Sequence, residues 1–149
     1  AATLIAHLCD DGSRLPVYWC SLYSPCLGIF LPTFSRGEIP GVLSVGGKQP
    51  SDGSPWWLFR TLEKTTRRGT GFDPAAVDAI RAEWAPVQND LIGSAYGIAI
   101  EANDLIRNGT PARANEVVTE YMASNTDLML RTVKGMLSRL APATLAPTH

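Results

Sequence analysis

Charge is scarce in this sequence, and what there is nearly cancels. The 149 residues hold 13 Lys and Arg against 14 Asp and Glu, a net charge of −1, and charged residues make up 18% of the chain, below the roughly 25% of an average soluble domain. A nucleic-acid partner is therefore not expected, since phosphate binding needs an excess of cations to displace counterions. So low a charge density predicts instead that part of the surface is covered by a partner or by more of the same protein. Histidine is scarcer still, with only His7 and His149, the latter terminal and expected to be mobile. The three cysteines, Cys9, Cys20 and Cys26, form no CxxC pair, which excludes a zinc ribbon, a thioredoxin-type site and a disulfide scaffold. No G-x-S-x-G nucleophile elbow occurs. The first residues, Ala1-Ala2-Thr3, show no basic segment leading into an apolar one, so no signal peptide is visible and a cytoplasmic location is expected. The missing initial Met predicts a processed chain or a piece of a longer protein.

What is present is apolar surface, 45% of residues, enough to exclude disorder. The length fits one domain that buries roughly 70% of its unfolded-chain surface. The stretch from Leu15 to Ser35 carries no charge, but Pro16, Pro25 and Pro32 fall within it. Each interior proline costs a helix about 3 kcal/mol, so buried strands broken at Ser24-Pro25 are expected there rather than a membrane span.

The order of elements reads as α+β. Ala2–Cys9 is short and apolar, as in a strand buried on both faces. Asp10-Asp11-Gly12-Ser13 is a turn cluster, Leu15–Leu22 is rich in β-formers, and Leu27–Phe34 is a third candidate strand. The first two make an antiparallel hairpin. Strands thus occupy 1–35, a Gly- and Pro-rich loop 36–55, and a helical layer 56–149, all in one domain. Within that layer Trp56-Trp57 lead a short helix to about Thr66, closed by Arg67-Arg68-Gly69. Asp73 caps a long helix with Pro74 in its first position, and Val77, Ile80, Trp84, Val87, Leu91, Ile98 and Leu105 recur at helical spacing. Pro86 is expected to kink or split it. Gly93, Ala95, Gly97, Ala99 and Ala102 leave room for another backbone to approach. Asn108-Gly109 ends this helix and Thr110-Pro111 begins the next, which runs to about Leu140 and folds back as a hairpin.

Chemistry-bearing patterns are few. Gly46-Gly47-Lys48 lacks the glycine four residues earlier and the Ser or Thr after the lysine that a phosphate loop requires, so it reads as a flexible loop. His7 and Cys9, two apart, share a strand face, yet a metal needs more ligands than these; His7 reads as a core histidine. Asn108-Gly109-Thr110 matches a glycosylation acceptor but reads as helix stop and helix start. Trp56-Trp57 anchor a helix to the core. Tyr18, Trp19, Ser21, Ser24 and Cys26, at the ends of buried strands, are the candidate substrate-binding residues. Cys20 and Cys26 are expected to be reduced and largely buried. No base accompanies them, and no metal or cofactor is expected.

The run Leu15-Pro16-Val17-Tyr18-Trp19-Cys20, followed by Ser24-Pro25-Cys26-Leu27-Gly28-Ile29-Phe30-Leu31-Pro32, resembles the secernin and cysteine-dipeptidase group of N-terminal-nucleophile hydrolases, and Trp56-Trp57 with the helices after them look like its C-terminal region. The resemblance implies a four-layer αββα sandwich and cleavage of small amide or dipeptide bonds by an N-terminal Cys whose own α-amino group is the base. Residue 1 here is Ala, and Thr3 has no free amine, so no catalytic residue carries over. The expectation is a C-terminal segment of such an enzyme, inactive alone, whose sheet is completed by an upstream segment or a second copy of the chain. The alternative is a non-catalytic α+β interaction module that dimerises through its helical hairpin.

Overall fold

The computed structural model of the chain describes residues 2–140; Ala1, His149 and the rest of 141–149 lie outside the described residues. The chain is α+β. A three-stranded antiparallel sheet has the order β1 (Ala2–His7), β2 (Val17–Leu22), β3 (Phe30–Thr33), with β2 central. The β1–β2 register runs from Ala2 opposite Leu22 to His7 opposite Val17, and Trp19 faces Pro32 across β2–β3. Three helices follow: α1 (Pro55–Thr65), α2 (Pro74–Arg107) and α3 (Pro111–Leu140). The loop between β3 and α1 carries a 3-10 turn at Gly41–Ser44. Where helix closure alone was expected at Arg67-Arg68-Gly69, the chain forms a second small sheet, β4 (Arg67–Arg68) against β5 (Gly71–Phe72), which Gly69 turns at φ 57°. Among the described residues no helix is long and apolar enough to cross a membrane.

The helices follow their local chemistry. Asp73 accepts hydrogen bonds from the Ala75 and Ala76 amides, and Pro74 occupies the first position of α2. Of the two outcomes expected at Pro86, a kink or a split, the split does not occur: α2 runs unbroken for 34 residues. Pro86 is exposed, as is Ala82 one turn before it, so the carbonyl deprived of its partner is on the water side. The α2–α3 turn is closed by Gly109 at φ 80°, and the Thr110 hydroxyl and amide both donate to the Leu105 carbonyl. The two helices then pack as an antiparallel hairpin along a stripe of Ile80, Trp84, Leu91, Ala95, Ala99 and Ala102 on α2 and of Ala114, Val118, Met122, Met129, Val133 and Met136 on α3.

The small residues of α2 divide by face. Ala95, Ala99 and Ala102 are fully buried, and the Leu15 amide donates to the Ala99 carbonyl at 3.1 Å, so the strand entering β2 lies against the helix backbone as the sequence predicts. Gly93 and Gly97 instead border open space.

The first strand departs most from expectation. It is not buried on both faces: only Thr3 is half-buried, and Leu4 and Ile5 stand 64% and 52% exposed. As the sheet's edge, β1 has β2 on one side and no described element on the other. His7 is consequently no core histidine. It is exposed, with Nδ1 2.7 Å from the Tyr96 hydroxyl and its ring edge-on to the tyrosine. Nor do His7 and Cys9 share a strand face, because β1 ends at His7 and Cys9 belongs to the turn, donating to Asp11.

Candidate functional site

The segment from Tyr23 to Phe30 links β2 to β3 and is fixed by one face of α2. Arg81, Trp84 and Gln88 lie at helical spacing on that face. Arg81 Nε donates to the Cys26 carbonyl at 3.3 Å and Trp84 Nε1 to the Leu27 carbonyl at 3.1 Å. The Gln88 side-chain amide both accepts from the Phe30 amide, at 2.8 Å, and donates to the Phe30 carbonyl, at 3.2 Å. A side chain here does for the open edge of β3 what another strand would do.

The turn itself is strained at Tyr23, the one described non-glycine residue with positive φ, at 61°. Its ring is held edge-on against Trp56 with centroids 5.1 Å apart. Burial, and then the neighbouring Glu63 carboxylate, push the Tyr23 phenol above its ordinary value of 10. Glu63 is itself buried and paired with Arg67.

Outside this turn lies a hollow of about 410 Å³, lined by Ser24, Cys26, Phe72, Val77, Asp78 and Arg81. A neighbouring hollow of about 320 Å³ also has Cys26 and Arg81 in its wall. Of the five residues singled out from the sequence, Ser24 and Cys26 come together here. The other three do not line this hollow. Trp19 is buried against Tyr96, with centroids 6.3 Å apart. Ser21 is 1% exposed, its Oγ without a partner, and Gly28 passes so close that a Cβ there would lie 3.0 Å from that oxygen. Tyr18 alternates to the opposite face of β2.

Cys26 is exposed, not buried as expected, and Cys20 is half-buried with its Sγ 3.3 Å from Thr33 Oγ1. The reason is local: Ser24-Pro25-Cys26 is a turn outside the strands, and lack of charge in a segment does not by itself put it inside. Arg81 and Phe72 were missed from sequence. Arg81 shares a helix face with Trp84 and Gln88, a spacing legible in principle, while Phe72 is brought in by the β4–β5 turn.

The hollow has a thiol, a guanidinium and the Asp78 carboxylate, which lies 3.9 Å from Arg81 Nη1, and no histidine lines it. His7 rests on Tyr96, 15 residues along α2 from Arg81, about 22 Å at the helical rise. Among the described residues no group of three or more His, Cys, Asp or Glu is placed to hold a metal ion. The arrangement can bind and orient a small group through Arg81 and Asp78. No protein-family model, curated protein or solved structure matches the chain.

Proposed function

We propose that this chain is the C-terminal portion of a secernin-like amide-bond hydrolase, supplying strands and covering helices to an αββα sandwich. The Cys nucleophile, with its own amine as base, lies in sequence outside the chain, and the substrate is a small amide or dipeptide. The observation that carries the reading is the open edge of β1. Leu4, Ile5 and Leu8 stand more than half exposed beside a strand edge with no described partner, and such an edge is a template for pairing. Next to it, Tyr96 holds His7, and Ile92 and Ile100, one helical turn to either side on α2, are also open. Strand and helix together thus present apolar surface in two layers, as expected where a sheet with its helical cover continues into further structure. The three cysteines are free, which suits a reducing, cytoplasmic setting.

The test is the full-length gene product containing this chain, assayed against dipeptides and N-acyl amino acids. Hydrolysis abolished by alkylation of an N-terminal Cys is the expected result, with none from the chain alone. A full-length product without such a Cys, or hydrolysis by the isolated chain that is lost on mutating one of its own residues, overturns the proposal. The non-catalytic module was expected to dimerise through its helical hairpin; the open β1 edge favours a different seam for that second reading, β1 paired with that of a second copy about a two-fold axis. A tight dimer of the isolated chain, disrupted by Leu4→Lys, together with an inert full-length product, would decide for it.

A further inference from the structure

The hollow of about 410 Å³ outside the β2–β3 turn has two opposite charges in its wall. Asp78 and Arg81 stand three residues apart on α2, so they are neighbours on the helix surface. Their side chains are 77% and 57% exposed, within reach of a molecule that enters. Asp78 Oδ1 lies 3.9 Å from Arg81 Nη1, too far for a hydrogen bond. The two heads attract one another without spending their hydrogen bonds on each other. Arg81 is held all the same, because its Nε donates to the Cys26 carbonyl at 3.3 Å, which uses one of the five donors of its fork.

The apolar part of the wall comes from three elements. Leu27 belongs to the turn and is buried, Val77 is half-buried on α2, and Phe72 is 50% exposed on β5. The Phe72 ring is braced from β4 by the Arg67 guanidinium, 4.8 Å from its centroid, and Arg67 is tied in turn to the buried Glu63. Apolar walls with a few placed polar groups are the composition of small-molecule sites, and the volume falls within their range of roughly 300–1,000 Å³.

We infer that this hollow binds a free α-amino acid with an apolar side chain. The Arg81 guanidinium takes the carboxylate, Asp78 takes the ammonium, and Leu27, Phe72 and Val77 take the side chain. The adjacent opposite charges select this class. A simple carboxylate drawn to Arg81 meets the like charge of Asp78 beside it, and a simple amine drawn to Asp78 meets that of Arg81. A ligand that carries both charges on neighbouring carbons satisfies both heads at once. The inference does not rest on the hydrolase reading, and it is tested on the chain itself.

The probe is L-phenylalanine, with 3-phenylpropionate and 2-phenylethylamine as counterparts that each lack one charge. Amide shifts of the labelled chain map the site, and the rate of maleimide labelling at Cys26, in the wall of the same hollow, reports its occupancy. The expected result is binding of phenylalanine at about millimolar Kd or tighter, with each counterpart at least about tenfold weaker, as for loss of one charge-assisted contact. Shifts should concentrate at Cys26, Leu27 and Phe72 to Arg81, and Cys26 labelling should slow as the site fills while Cys20 labelling does not. Arg81→Gln should weaken phenylalanine about tenfold. Asp78→Asn, at an exposed position where the fold is not at risk, should weaken phenylalanine and tighten 3-phenylpropionate, removing the preference between them. No binding, equal binding of a one-charge counterpart, shifts located elsewhere, unchanged Cys26 labelling at saturation, or an unchanged preference in Asp78→Asn would each overturn the assignment.

Discussion

The two edges of the three-stranded sheet are built from similarly apolar segments and end up in opposite environments. At β3, Leu31, Pro32 and Thr33 are buried, and Gln88 satisfies both backbone groups of Phe30 on its outer side. At β1, five of six residues are exposed and the outer side meets no described element. Apolar composition marks a strand that is stabilised by cover; it does not say that the same chain supplies the cover. For β3 the cover is α2 together with α3, with α2 placed by its side-chain bonds to the Cys26, Leu27 and Phe30 backbone. At β1, Tyr96 of α2 touches the strand through His7.

The sharpest break of this comparison is a pair of truncations. Leu31→Ala, at a site 4% exposed, should cost about 2–5 kcal/mol through lost burial and the cavity left behind. Leu4→Ala, at 64% exposure, should change the stability of the isolated chain by less than about 0.5 kcal/mol. Urea unfolding of both at one low protein concentration measures the difference. Equal losses would mean that β1 is covered in solution by a second copy.

Next in size is the edge cap itself. Gln88→Leu keeps the apolar part of the side chain but leaves the Phe30 amide and carbonyl without their partner, a cost of about 1–3 kcal/mol. Hydrogen exchange at the Phe30 amide should quicken well beyond that of Leu31. If it does not, another group closes that edge and the contrast between β1 and β3 weakens.

Much of this was legible in the sequence. The Asp73-Pro74 start, the Asn108-Gly109 stop, the hairpin of long helices and the strand read at Leu15–Leu22, found at Val17–Leu22, follow from capping chemistry and apolar periodicity, which are local. What was not legible depends on contacts between distant residues. Whether Ala2–His7 is covered depends on what lies beside it, and period-2 or continuous apolar patterns look alike in either case. Pro86 was read as a kink or a split because its cost in an isolated helix is known, whereas an exposed carbonyl and a long packed helix keep α2 unbroken. Of the candidate site, the break at Ser24-Pro25 was read from the prolines, whereas Cys26 was expected to be buried and is exposed in the turn; Arg81, Gln88 and Phe72 come to that turn from distant positions in the chain.

The cysteines sharpen the contrast between covered and open segments at a smaller scale. Cys26, exposed in its turn, should react with a maleimide under native conditions at least about tenfold faster than Cys20, which is half-buried on the central strand with Thr33 against its sulfur. Mass spectrometry of peptides after timed labelling reads the ratio. A faster Cys20 would mean that β3 detaches from β2 more readily than the Gln88 cap allows.

The smallest effect concerns the turn that joins the open strand to the buried one. The Asp11 carboxylate accepts from the Cys9 thiol at 2.8 Å and from the Ser13 amide at 2.9 Å. The thiol first, then the Ser13 groups, lower its pKa from 3.8 to about 2. Its folded-state pKa is therefore the depressed one. Its contribution is complete above the ordinary carboxylate value and is lost as the pH falls from about 3.8 through about 2. The group is fully solvent-exposed, so water and salt screen the effect, and it should register as a local opening of residues 9–13. A carbon-detected titration of the Asp11 carboxyl should give a midpoint near 2, moving back toward 3.8 in Cys9→Ala. A midpoint already at 3.8 in the unaltered chain would mean that the turn does not hold these bonds in solution, and that β1 is tied to β2 by its ladder alone.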